Sequence, residues 1–452
     1  MGSILKTDVV TGYRRLLYFV TPNETSFNDV KDVPKYIDES FIFFLSLILL
    51  EYLVASLEGK KDIFRLSDSI SSLSAGMFMT VSDFILKGFD IAVYSWVHEN
   101  YQLISLPWNN PWTWVLCLVG IDFGYYWCHR VAHEVNFIWA AHQVHHSSED
   151  YNLSTALRQS VLQRFTSWVF FLPLAPLIPP AIMLVHIEFN LLFQFWIHTQ
   201  LVGNLGPLEY IMNTPSHHRV HHGRNRYCID KNYAGVFIIW DRMFGTFTPE
   251  KEKVVFGLVH PLQTWEPIKV QLCHVRWMWN RIWELEGFGN KMAFIFKGPG
   301  WEPGKPRLGL IEDVPDIHYP QAKFETYLPT WCKFYVGFHF LLTFVVLNTF
   351  VEMMEIGLSA RAAFIGISFI IYTMTCIDNI CDGSWLAPWM EMVRCGTVLF
   401  GTTFLQEDLV SLTHLDLVVF LVLRGVFLVS FVLWIPHLVK SQSEKKQNWF
   451  LS

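Results

Sequence analysis

Charge is what this chain has least of. Asp, Glu, Lys and Arg make up 16% of its 452 residues, against roughly 25% in an ordinary soluble domain, and that shortage argues against a water-soluble enzyme. The 34 Lys and Arg stand against 40 Asp and Glu, a net charge of −6 with no long basic run, so nothing points to a nucleic-acid partner. The eight cysteines form no C-x-x-C pair and several sit inside apolar runs, which excludes a disulfide scaffold and favours plain burial. The opening residues MGSILKTDVV hold no apolar run and place Lys6 where an acylation signal needs Ser or Thr. The expectation is therefore neither a cleaved signal peptide nor an acyl anchor, with insertion into a membrane coming from internal spans. G-x-S-x-G, Walker and G-x-G-x-x-G strings are absent, which removes hydrolase-elbow, phosphate-cradle and dinucleotide readings. His133 and Glu134 open like the zinc-peptidase string H-E-x-x-H, but position 137 is Phe137, so the second ligand of that string is missing.

Apolar and aromatic residues fill the gap. Hydrophobic residues are 52% of the chain, with 38 Phe, 19 Trp and 16 Tyr, and the mean hydropathy is +0.28. A single aqueous core needs less, so the fold expected is all-α, a multi-pass integral membrane helical bundle. Runs long enough to cross a bilayer cover 41–57, an interrupted stretch 69–97, and 112–128. The run 165–195 is broken by Pro173, Pro176, Pro179 and Pro180 and reads as two helices or a hairpin that dips and returns. After a polar, turn-rich stretch that includes GPGWEPG at 298–304, further runs cover 335–351, 362–377, 393–405 and 417–438. The domain reading is an N-terminal transmembrane region at 1–110, a histidine-rich core at 111–265, a membrane-peripheral segment at 266–330, and a C-terminal transmembrane block and tail at 331–452. Basic residues flank the spans at Lys60, Lys61 and Arg65, at Arg224 and Arg226, and at Lys440, Lys445 and Lys446. If basic flanks face the cytoplasm, the histidine-rich segments face it too.

Eleven of the 18 histidines lie between His129 and His222, far more than even scattering would place there. His129 and His133 are four apart, so both rings leave one helical face. His142, His145 and His146 repeat the grouping at i, i+3 and i+4, and His218, His221 and His222 repeat it again. Eight imidazoles exceed the three or four that one zinc takes, and two adjacent metals are the natural count. His186, Asn190, Gln194 and His198 recur every fourth position through apolar sequence, a helix face turned to a polar interior. His198 is the candidate ninth ligand, Asn190 and Gln194 candidate supports behind the ligands, and Asp122 a candidate to orient an imidazole. His186 and His217 divide evenly between ligand-like and ordinary roles. His98, His260, His274, His318, His339, His414 and His437 have no partner at ligand spacing and read as ordinary hydrogen-bonded histidines. Asn152 opens a formal glycosylation sequon whose place between the metal motifs argues against modification.

These three histidine motifs among membrane spans resemble the fatty acid hydroxylase / sterol desaturase superfamily of membrane di-iron enzymes, over about residues 111–265. The strings WAAHQVHHSSE at 139–149 and TPSHHRVHHGRN at 214–225, with the extra C-terminal block, are similar to the branch of that superfamily that cleaves glyceryl ethers. The resemblance implies a di-iron site on His129, His133, His142, His145, His146, His218, His221 and His222, joined by His198. It also implies O2 as oxidant, tetrahydrobiopterin as reductant, and an alkylglycerol or lyso-ether lipid as substrate. The implied setting is the endoplasmic reticulum membrane, and the basic flanks put the active site on the side that faces the cytoplasm. Hydroxylation of the alkyl carbon beside the ether oxygen gives a hemiacetal, which collapses to a fatty aldehyde and a glycerol derivative without a second catalytic residue. The chain has no His-Pro-Gly-Gly haem-binding string, so the reductant is a soluble one. Glu134, one residue beyond a ligand, is the candidate catalytic and pterin-binding carboxylate; pairing with Arg130 or another cation is its competing role. A sterol or fatty-acyl hydroxylase or desaturase with an external electron donor is the alternative on the same fold. A metal-transport path or sensor is the reading outside enzymes, and transport is disfavoured because the ligand turns lie at or beyond span ends.

Overall fold

A computed structural model describes residues 7–86, 88–403 and 414–443. The described chain is helical. It has no strand, only isolated bridges between Met212 and Phe237 and between Gly223 and Phe256. It divides into two units, one comprising Met1–Leu262 with Gln271–Lys323, the other Gln263–Val270 with Phe324–Ser452.

In the first unit the longer helices are α1 (Val9–Leu16), α2 (Tyr36–Leu57), α3 (Leu66–Leu86), α4 (Phe89–Tyr101), α5 (Pro111–Glu134), α6 (Asn136–His146), α7 (Pro180–Trp196) and α8 (Pro215–His221). α9 (Pro267–Glu284), which belongs to this unit from Gln271 on, and α10 (Phe288–Phe296) follow. Proline writes much of this punctuation. Pro111, Pro180 and Pro215 each occupy a first helical position, where the missing N–H would have had no intrahelical partner. The Asn110 side chain caps α5 by accepting the Trp112 N–H at 2.8 Å. The run 165–195 divides at its prolines into short turns over 164–174 followed by α7; Pro173 and Pro176 stop any longer helix from forming there.

α7 is the central element of this unit. Val185, Phe189, Leu192 and Phe195 pack with Phe43 and Phe44 of α2. Ile182 and Met183 pack with Tyr94 of α4 and Cys117 and Ile121 of α5. α5 and α6 meet at Val135, a single extended residue with φ −131° and ψ 115°. That corner is pinned by Asn136, whose N–H donates to Lys297 O at 2.8 Å and whose side chain donates to Phe294 O at 3.0 Å. The histidine faces of α5 and α6 are thereby folded onto each other.

The second unit contains α11 (Thr330–Ile356), α12 (Ala360–Cys381), α13 (Ala387–Gly401) and α14 (His414–Ser443). Among the described residues four helices are long and apolar enough to cross a membrane: Val30–Leu57, Thr330–Ile356, Ala360–Cys381 and Val418–Leu438. They match the sequence runs 41–57, 335–351, 362–377 and 417–438. The other runs differ. The stretch 69–97 is two helices, α3 and α4. The run 112–128 lies in α5, a helix of 24 residues that also carries Asp122, His129, Arg130, His133 and Glu134. The run 393–405 falls in α13, whose 15 residues are too few to span about 30 Å of hydrocarbon; its end at Leu405 lies outside the described residues, as do Lys445 and Lys446.

Candidate metal centre

Three helices and one helix end bring nine imidazoles together. His129 and His133 lie in the last turns of α5, His142, His145 and His146 in the last turns of α6, His218 and His221 in α8 with His222 as its cap, and His198 just after α7. All nine are buried. They form two nests that could each hold a metal ion: His129, His133, His142, His146 and His221 in one, His145, His198, His218 and His222 in the other, with ligand-type nitrogens within 4.8 Å of one another in each. The sorting crosses the sequence motifs. On α6 the i,i+4 pair His142 and His146 turns to the first nest and His145 to the second; on α8 the i,i+4 pair His218 and His222 turns to the second and His221 to the first. Each of the two three-histidine motifs therefore serves both nests.

The hydrogen bonds behind the rings decide what the nests can accept. His129 Nδ1 lies 2.8 Å from Tyr233 O, His221 Nδ1 2.9 Å from Lys231 O, His145 Nδ1 3.1 Å from Arg158 O and His198 Nδ1 2.7 Å from Gln194 O. A carbonyl only accepts, so each of these Nδ1 atoms carries the proton and each Nε2 presents a lone pair. Those Nε2 atoms converge. His145 and His198 face each other at 3.2 Å, and His198 faces His218 at 3.0 Å. In the first nest the spacings are 3.0 Å from His129 to His142, 3.1 Å from His142 to His146 and 3.1 Å from His146 to His221. For His145 and His198 both protons are committed elsewhere, so two lone pairs point at one another, an arrangement that a bound cation relieves. His133 Nε2 and His222 Nε2 are also buried with no hydrogen-bond partner among the described residues. Burial pushes the His145 ring down to about 4 and holds His142, His146, His218, His221 and His222 well below the ordinary histidine range, so these rings are neutral donors at pH 7. A set of neutral imidazoles suits ferrous iron and zinc alike, and the nests fit the pair of metals expected from the sequence.

The supports differ from expectation in one place. Asp122 does not touch an imidazole in the structure; its carboxylate accepts from the Val236 N–H at 2.7 Å, the Phe237 N–H at 2.9 Å, Trp240 Nε1 at 2.9 Å and Asn190 Nδ2 at 2.9 Å. It acts on the nest through backbone, by holding the segment whose Tyr233 carbonyl receives His129. Asp241, in the short helix Ile239–Phe244, accepts the Tyr233 and Ala234 N–H groups at 2.8 and 2.9 Å and fixes the same segment. Asn190 and Gln194 form the buried chain foreseen for them. Gln194 donates to Asn190 Oδ1 at 2.7 Å and accepts the Tyr125 hydroxyl at 2.6 Å, while its carbonyl takes His198 Nδ1. His217 lies outside both nests, 3.6 Å from Glu209, and His186 bonds the Tyr18 hydroxyl at 2.7 Å. Tyr233 had no motif to mark it, yet its ring packs within 5.9 Å of His129 and 5.3 Å of His133, centre to centre.

Glu134 is buried at the end of α5. Arg130 Nε donates to its Oε1 at 2.8 Å and Arg307 Nη1 to its Oε2 at 2.6 Å. Burial raises its carboxyl, but the two arginines outweigh burial and hold it below the usual carboxylate range, so it is ionised. The competing pairing role considered for Glu134 is thus present in full.

The sequence profile of the fatty acid hydroxylase family matches residues 114–246, the stretch that carries both nests, and that of the alkylglycerol monooxygenase C-terminal domain matches residues 332–415. Alkylglycerol monooxygenase of Xenopus tropicalis is 51% identical over 397 residues, 87% of this chain and 88% of the relative. The Homo sapiens protein of that name is 52% identical over 389 residues, 86% and 87% of the two chains. The one from Danio rerio is 44% identical over 448 residues, 97% and 98%. No solved structure matches the chain. With identity at this level across nearly the full length of both chains, the chain belongs to the alkylglycerol monooxygenase family.

Proposed function

We propose that the chain is a tetrahydrobiopterin-dependent, di-iron monooxygenase that hydroxylates the ether-linked alkyl carbon of alkylglycerols or lyso-ether lipids. The observation that carries this reading is the pair of buried nests, five and four imidazoles, whose ring nitrogens converge at about 3 Å. When bound, two ferrous irons would supply the activation of O2 toward an unactivated C–H bond. The protein's part is to hold the rings. Tyr233, Lys231, Arg158 and Gln194 carbonyls lock four Nδ1 protons outward, so none of those four rings needs to lose a proton or rotate when metal enters. Burial of all nine rings keeps bulk water from the reacting carbon. The overall reaction balances with one O2 and with two electrons and two protons from the tetrahydropterin, which becomes a dihydropterin: one oxygen atom becomes the new hydroxyl, the other leaves as water. The hemiacetal then breaks its bond to the glycerol oxygen, and the hydroxyl proton passes to that oxygen, leaving a fatty aldehyde.

Glu134 is our candidate for the pterin contact. Its Oε2 partner, Arg307, has a side chain 51% exposed, so exchanging that arginine for a ring N–H gives up an interaction already weakened by solvent. Glu134→Gln is expected to raise the apparent pterin KM several-fold with iron content unchanged; an unchanged KM in iron-loaded protein removes Glu134 from the pterin site. We place the chain in the endoplasmic reticulum membrane with the nests toward the cytoplasm. Lys60, Lys61 and Arg65 after α2, and Arg224 and Arg226 after α8, support that orientation.

The test uses detergent-purified full-length protein. Metal content is measured first, then labelled alkylglycerol, O2 and tetrahydrobiopterin are added and fatty aldehyde is followed. Two irons per chain with pterin-dependent aldehyde is the expected result. Iron without aldehyde overturns the ether-lipid assignment in favour of a sterol or acyl-lipid substrate, and folded protein that binds no metal overturns the reading altogether.

A further inference from the structure

The C-terminal unit carries buried polar groups that the metal centre does not use. His339 of α11 is 1% exposed, and Glu391 and Arg394 of α13 are 0% and 1% exposed. Ionisable groups at membrane depth are costly and are kept where they serve a site. Here they form a directed chain. Arg394 Nε donates to Glu391 Oε2 at 2.8 Å, and the Tyr335 hydroxyl donates to the same carboxylate. Arg394 Nη2 lies 3.1 Å from His339 Nδ1. A guanidinium only donates, so Nδ1 is the unprotonated nitrogen and His339 Nε2 carries the proton. That proton goes to Ser430 Oγ, 3.0 Å away on α14. Ser430 is thus an acceptor already served, and its own hydroxyl proton has no acceptor among the described residues.

The proton has somewhere to go. A cavity of about 430 Å3 lies between α11 and α14, with His339 and Ser430 in an otherwise largely apolar lining that includes Phe338, Gly425, Val429 and Leu433. It opens to the surface of the unit, where Phe338 and Val429 are exposed. Ser430 sits two residues past the middle of the span Val418–Leu438, about 3 Å along the helix axis at roughly 1.5 Å per residue. The donor is therefore near the bilayer midplane, roughly 15 Å from either edge of the hydrocarbon. A phospholipid head group does not reach that depth, and a charged one is not stable there. What fits is an apolar chain ending in an uncharged oxygen that only accepts.

We propose that this cavity is a binding site for a long-chain fatty aldehyde, its carbonyl oxygen accepting the Ser430 hydroxyl proton. The choice of an aldehyde rests on the ether-cleaving reading, in which it is the lipid product; the site then gives that product a place within the enzyme's own membrane unit. The test uses the full-length chain in phosphatidylcholine nanodiscs with a hexadecanal probe carrying a diazirine on its chain, followed by peptide mapping. Label is expected in residues 425–433, displaced by hexadecanal and not by hexadecane or palmitate. Gly425→Leu fills space in which a Cβ meets no atom within 4 Å, and it should remove the label. Ser430→Ala should raise the concentration of hexadecanal needed for displacement about 2- to 10-fold, the effect of one hydrogen bond, with Ser430→Thr restoring it. Equal displacement by hexadecane, or label unchanged in both Gly425→Leu and Ser430→Ala, overturns the site. Aldehyde release from labelled alkylglycerol in the same nanodiscs separates the two readings. Protein that binds the probe at 425–433 but makes no aldehyde defeats the ether-cleaving reading alone, and protein that makes aldehyde without label there defeats the site alone.

Discussion

Behind four of the rings, His129, His145, His198 and His221, stands a backbone carbonyl that fixes them, and the groups that hold those carbonyls make the centre testable one residue at a time. His198 is the one ligand that belongs to none of the three histidine motifs. It faces both His145 and His218, so His198→Ala should empty the four-histidine nest, lowering iron from two to one per chain and aldehyde formation by at least about 100-fold; metal analysis of purified protein checks it. Asp122 makes a different point. Its carboxylate gathers two backbone N–H groups, an indole and an amide, and Asp122→Asn turns an amide NH2 toward donors. A loss of about 2–3 kcal/mol is expected, seen as a lower unfolding midpoint, with reduced iron retention because the Tyr233 carbonyl loses its place. The histidine motifs themselves were legible in the sequence, because i,i+4 spacing on a helix leaves no doubt that two rings share a face. Their division into two nests was not, since i and i+3 rings diverge by an amount that matters only once three helices pack. The carbonyls of Tyr233, Lys231, Arg158 and Gln194 had no signature either: a backbone oxygen is the same at every residue.

At the scale of elements, the corner at Val135 and the segment 233–237 carry the geometry. Gly235 shows how closely that segment is seated: a Cβ there would come within 2.8 Å of Asn190 Oδ1 and 2.9 Å of Asp122 Oδ1. Gly235→Ala must push the segment away from α5 and α7, costing about 1–3 kcal/mol and loosening His129, so iron loading should fall even though no ligand has changed. The α5–α6 corner is held from outside by α9, where His274 Nε2 bonds Asn136 Oδ1 at 2.7 Å. Burial pushes His274 down to about 4 from 6.5. The unfolded chain thus takes up a proton near pH 6.5 that the folded chain refuses, and stability present above pH 6.5 is lost as pH falls toward 4. The loss attributable to this ring is up to about 3 kcal/mol at 1.36 kcal/mol per pH unit. His274→Gln should flatten the unfolding midpoint between pH 6.5 and 4 relative to the parent. Helix ends were readable where Pro111, Pro180 and Pro215 stand at first turns. Hydropathy counts apolar residues without knowing what they face, so it did not separate α3 from α4 within 69–97 or tell which face of 112–128 is buried. In α5, Cys117 and Ile121 pack inward against α4 and α7, while Asp122, His129 and His133 serve the centre.

For the whole molecule, the centre is also a clasp. Its ligands come from α5, α6, the end of α7 and α8, elements spread from His129 to His222 and otherwise joined by short turns and irregular chain. The facing lone pairs of His145 and His198, 3.2 Å apart, make the metal-free state the strained one, so binding energy becomes folding energy. A ligand present at 100 times its Kd adds about 2.7 kcal/mol to stability, and for a chain of 452 residues each kcal/mol moves Tm by roughly 1 °C, since the unfolding entropy is about 2.1 cal/mol/K per residue. Stripping the metal with a chelator from purified full-length protein should therefore lower Tm by about 3–6 °C, and ferrous iron should restore it. Because the nests have five and four ligands and share no ring, the loss should come in two steps as chelator is raised. The His198→Ala protein isolates one of them: with only the five-histidine nest intact, it should show a single step and roughly half the shift. A single step in the parent protein would mean that the two nests fill and empty together, with α6 and α8, which supply rings to both, as the elements that couple them.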